Sequence, residues 1–86
     1  MKAIETKGDV CFFLNEKNKM FQQIGSGEML PVKDGKITYK PIKKVGLVEI
    51  KYQLNGMNGF SLFKGRTLLE DNIWSLERAE DIAKTL

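Results

Sequence analysis

Val45-Gly46-Leu47-Val48-Glu49-Ile50-Lys51-Tyr52-Gln53-Leu54, with Asn55-Gly56-Met57-Asn58-Gly59 directly after it, decides the fold. Val48, Ile50, Tyr52 and Leu54 alternate with Glu49, Lys51 and Gln53. A strand turns successive side chains to opposite faces, so this is a half-buried strand with one apolar and one polar side. The two Asn-Gly pairs that follow favour positive φ and mark a turn. Phe60-Ser61-Leu62-Phe63 resumes the sheet, Lys64-Gly65 turns it, and Arg66-Thr67-Leu68-Leu69-Glu70 returns. The middle of the chain therefore reads as an antiparallel meander.

Upstream, Val10-Cys11-Phe12-Phe13-Leu14 and Met20-Phe21-Gln22-Gln23-Ile24 flank the polar turn Asn15-Glu16-Lys17-Asn18-Lys19, a hairpin pattern. Phe12, Leu14, Met20 and Ile24 fall on one of its faces, and Phe13 and Phe21 on the other. Residues 25–44 are the least regular, with Gly25-Ser26-Gly27, Pro31, Asp34-Gly35 and Pro41 as turn signals. A short strand at Lys36–Lys40 fits between them, at an edge or ending at Pro41, which has no N–H to give a ladder.

Downstream the period changes to that of a helix. Leu76, Ala79, Ile82, Ala83 and Leu86 share one stripe, Ser75 is an N-cap, and Trp74 and Ala79 hold the positions of a hydrophobic staple. The helix is expected from Leu76 to about Thr85. Assembled, the elements predict one α+β domain over residues 1–86. It has a five- or six-stranded, mainly antiparallel sheet, a meander of hairpins, with one C-terminal α-helix packed on one face. A lone helix leaves the other face open, so some of Phe13, Phe21, Met57 and Phe63 await a cover, either the irregular 25–44 segment or a partner.

Composition narrows the function. The 86 residues include one Cys and no His. One Cys makes no internal disulfide, and without His the commonest general base and transition-metal ligand are missing. Gly25-Ser26-Gly27 is neither a nucleophile elbow nor a phosphate loop: the spacing differs, no helix follows, and Glu28 stands where a lysine would help. Cys11 lies among apolar neighbours that keep a thiol inert. Glu70-Asp71 and Glu80-Asp81 are sequence neighbours that do not converge as a catalytic pair needs, and Asp71 with Asn72 lacks the spacing of a calcium loop. Neither an enzyme nor a cofactor is expected.

The longest apolar run, Val10–Leu14, is far below the roughly 20 residues of a spanning helix. No export signal is apparent. No membrane contact and a cytoplasmic location are the expectations.

Charge is uneven. Residues 1–35 are balanced, residues 36–65 carry six lysines against Glu49, and residues 66–86 carry two more acids than bases. Tyr39-Lys40-Pro41-Ile42-Lys43-Lys44 sits in the basic segment and the acids lie mostly on the helix. The candidate partner-binding residues are Lys36, Tyr39, Lys40, Lys43, Lys44, Lys51, Met57 and Phe63. The leading expectation is a small non-enzymatic interaction protein that binds and modulates, by inhibition, a larger protein, or a protein complex on nucleic acid. The style is that of the small inhibitors carried by phages and mobile elements, an analogy of size alone. The alternative is a nucleic-acid-binding module using the basic 36–65 face. Against it, arginine is scarce and the one helix is acidic, whereas base recognition favours arginine and a basic element. The pattern also allows a homodimer through the uncovered sheet face or an edge strand.

Overall fold

A computed structural model describes residues 1–86. Eight strands precede the helix: β1 (Lys2–Lys7), β2 (Val10–Leu14), β3 (Met20–Ile24), β4 (Met29–Pro31), β5 (Tyr39–Val45), β6 (Val48–Gln53), β7 (Phe60–Lys64), β8 (Thr67–Ile73) and α1 (Leu76–Lys84). They form two four-stranded antiparallel meanders, β1-β2-β3-β4 and β5-β6-β7-β8. The α+β class holds, but the expected single sheet of five or six strands does not form. The chain from Val32 to Thr38 crosses between the two meanders without extending either ladder, and no strand of one pairs with a strand of the other. Both β1 and β4 go beyond the sequence expectation. The strand foreseen over Lys36–Lys40 starts only at Tyr39 and continues through Pro41 to Val45. It tolerates Pro41 because β5 is an edge strand with a register shift between Pro41 and Lys43.

The helix covers one face of the second sheet only. Val48, Ile50 and Tyr52 of β6, Phe60 and Leu62 of β7, and Ala79 and Ala83 of α1 are buried together. Small residues at 79 and 83 let the helix approach the strands closely. Ser75 caps it by accepting a hydrogen bond from Arg78 N at 3.3 Å, and Glu77 and Lys84 suit the helix dipole at its two ends. No helix of the chain is long and apolar enough to cross a membrane.

The two sheets meet along a seam, and Val10 and Phe12 of the first belong to the same core cluster as the second. Gln22, fully buried, accepts from Tyr52 Oη at 2.6 Å and donates from Nε2 to the Leu54 carbonyl at 2.9 Å. The Asp9 amide donates to the Trp74 carbonyl at 2.8 Å, and its carboxylate accepts from Leu76 N, in the first turn of the helix, at 2.9 Å. Gly8, at φ +54°, makes this approach possible, because a Cβ there would collide with the Trp74 carbonyl. The result is elongated, 42 × 23 × 17 Å.

Candidate functional site

Residues directly opposite in an antiparallel ladder share a face, so the registers sort every strand side chain to a side. On the second sheet, Lys43, Ile50, Leu62 and Lys40, Tyr52, Phe60 are helix-side rows. Lys44, Glu49, Phe63, Leu68 and Pro41, Lys51, Ser61 are outer rows, with Tyr39 opposite Gln53 on the same outer side.

This placement disperses the basic segment. Lys40 points to the helix side and pairs with Glu28 at 3.4 Å, and Lys43 pairs there with Glu80 of the helix at 3.2 Å. Lys51 lies on the outer face with Glu49 at 3.6 Å. Lys36, in the exposed turn before β5, Lys44, on the outer face, and Lys64, in the row beyond Phe63 and so on the helix side, form no ion pair. The bulge in β5 brings Lys40 and Lys43 to the same side, while the strand's period of two turns Lys44 to the other.

Tyr39, Lys51 and Phe63 do converge. The two rings meet edge to face with centroids 5.1 Å apart, and Lys51 Nζ lies 4.9 Å from the Phe63 centroid and 6.0 Å from that of Tyr39. Ser61, in the row between those of the two rings, is fully buried. There Gln53 Nε2 donates to Ser61 Oγ at 2.8 Å and Asn58 Nδ2 donates to Gln53 Oε1 at 3.2 Å. The aromatic pair and this polar chain thus lie on the same face of the sheet. Met57 stands apart in the β6–β7 turn, 69% exposed, its amide held by the Asn55 side chain at 3.0 Å.

The outward face of the first sheet is of another kind. Its rows are Ala3, Phe13, Phe21, Pro31 and Thr6, Cys11, Gln23, Met29. None of these eight positions carries a charge. The charges of β1, Lys2, Glu5 and Lys7, register with the opposite, seam-side face, where Lys7 Nζ sits 5.0 Å from the Trp74 ring centroid. Ala3, Thr6, Met29 and Pro31 are exposed, and Cys11, Phe13 and Phe21 half-buried. A solvated sheet face ordinarily alternates to polar residues, as Glu49, Lys51 and Gln53 do on β6. Phe13 and Phe21 were readable as the far side of the hairpin. Ala3, Met29 and Pro31 were not, because nothing in their own segments announces a strand. The segment 25–44 leaves this face bare: it adds β4 at the edge and places Val32 against Gly56, on the seam side.

No three or more Asp, Glu, Cys or His side chains come together as a metal site would require. Compared with known proteins, the chain matches no family model, no curated protein and no solved structure.

Proposed function

We propose that this protein is a non-enzymatic binding protein that occupies, and thereby modulates or inhibits, a larger protein, using the uncharged outer face of the first sheet as its main contact. The observation that supports this is the absence of charge from all eight ladder positions on the outward face of the first sheet. In a chain with 29% charged residues, such a face is distinctive. Depletion of charge with aromatic and methionine side chains at the centre is the composition of an interface core. Phe13 and Phe21, paired across β2 and β3, are its central anchors. The nucleic-acid alternative has less support, because three of the six lysines in residues 36–65 are ion-paired and the others do not share a face.

The test is affinity capture from nuclease-treated lysate with the native chain, with Phe13→Lys/Phe21→Lys, and with Lys43→Ala/Lys44→Ala. A stoichiometric protein is expected with the native chain and the lysine variant, and is lost with the phenylalanine variant. Retention of that protein by the phenylalanine variant, or capture of nucleic acid alone and its loss in the lysine variant, rejects the proposal.

A further inference from the structure

A second surface lies at the opposite end of the helix, where α1 runs out over the β5–β6 turn. Val45, Val48 and Ala83 floor an open notch of about 330 Å³, Leu47 stands at its rim, and Lys64 and Lys84 border it. Leu47 is 77% exposed, the most exposed large apolar side chain of the chain. Neither lysine belongs to an ion pair, no acidic side chain lines the notch, and Leu86 completes its lining. The helix C-terminus by itself disfavours an anion, and two of its carbonyls are already hydrogen-bonded within the chain. Ile82 O accepts from both Thr85 N at 3.0 Å and Thr85 Oγ1 at 2.7 Å, and Ala83 O accepts from Leu86 N at 3.2 Å.

We infer that this notch seats an acidic segment of a protein partner, one apolar side chain entering against Leu47, Val45 and Val48 while neighbouring carboxylates meet Lys64 and Lys84. The inference rests on the reading of the chain as a protein-binding molecule and names the chemistry of a second contact. Charge complementarity chooses the occupant, since two cations without internal partners at the border of an apolar floor match an apolar residue flanked by Asp or Glu. Openness chooses its size. Small-ligand pockets enclose most of their ligand, whereas this notch holds one side of a group whose remainder must be covered by something larger.

The experiment selects random dodecapeptides displayed on phage against the immobilised chain, then measures the enriched peptides in solution by fluorescence anisotropy. Enriched sequences are expected to place Leu, Ile or Phe beside Asp or Glu. Lys64→Gln/Lys84→Gln should weaken them about fivefold to tenfold, the sum of two exposed ion pairs, and Leu47→Ser should weaken them as well. Both variants change exposed side chains, and their melting curves check that the fold is kept. No enrichment, a neutral or basic consensus, binding indifferent to both variants, or self-association through Leu47 in place of peptide binding each overturns the inference. Phe13→Lys/Phe21→Lys should bind the peptides like the native chain. Loss of the captured partner in that variant and loss of peptide binding in the notch variants are therefore separate readouts, and either reading can fail alone.

Discussion

At the scale of single residues, the buried pair Gln22 and Tyr52 shows how polar atoms join two sheets. Each side chain lies in the interior and each has its partner, so no buried side-chain nitrogen or oxygen is left unpaired. Tyr52→Phe keeps the ring but strands the Gln22 oxygen, and an unsatisfied buried acceptor costs about 1–3 kcal/mol. A chemical denaturation curve should show that loss with little change in slope, and an unaltered midpoint would refute the role given to this bond. Burial also raises the Tyr52 phenol well above its ordinary value. The folded state therefore favours the neutral phenol. That contribution is complete below about pH 10, the unfolded value, and is lost as pH climbs from there toward the folded one. Native protein should lose stability above pH 10 more steeply than Tyr52→Phe, and parallel alkaline profiles would count against it.

At the scale of elements, the helix is held at its start by a residue from the far sheet. Asp9 ends the β1–β2 turn and its carboxylate reaches Leu76 N. Asp9→Ala removes a charged acceptor from a helix N-terminus, a loss of about 1–2 kcal/mol, while Asp9→Asn keeps an acceptor and should lose less. Thermal melts of the two variants check the order, and equal melting temperatures for alanine and native chains would exclude the tether. Asp9 also marks where reading the sequence reaches its limit. The elements whose side chains alternate or repeat on their own were legible: β2, β3, β6, β7 and the helix with its Ser75 cap. β1 was not, because Lys2, Glu5 and Lys7 give it no apolar side, and it is a strand only through its ladder to β2. β4 has three residues and lies against β3 in the same way. The division into two sheets depends on Gln22 meeting Tyr52 and Asp9 meeting Trp74, contacts across 30 and 65 positions that no local pattern encodes. The candidate site suffered similarly. Tyr39, Lys51 and Phe63 meet on the outer face, but sequence proximity groups Lys40, Lys43 and Lys44, of which the first two face the helix side and the third the outer side.

At the scale of the whole molecule, protection is uneven by design of the topology. β6 and β7 are flanked by strands on both sides and covered by the helix, whereas β1 is an outer edge whose residues are almost all exposed. Backbone amides open with free energies that range from near zero at edges to the global value in the core. Hydrogen exchange should therefore be slowest at Ile50, Tyr52 and Leu62 and fastest along β1. Comparable rates in β1 and β6 would contradict this gradient. Binding along the first sheet should slow exchange in β2 and β3 first and leave β7 unchanged.

The seam has an optical consequence. Trp74 is the chain's single tryptophan, with Phe12 of the first sheet edge-on at 6.2 Å and the Lys7 ammonium above its ring. Both neighbours come from the first sheet, and both would leave the indole if the two meanders parted. Its emission therefore gauges the distance between the halves of the molecule without any label, and reports a bending of the joint even while every strand keeps its ladder.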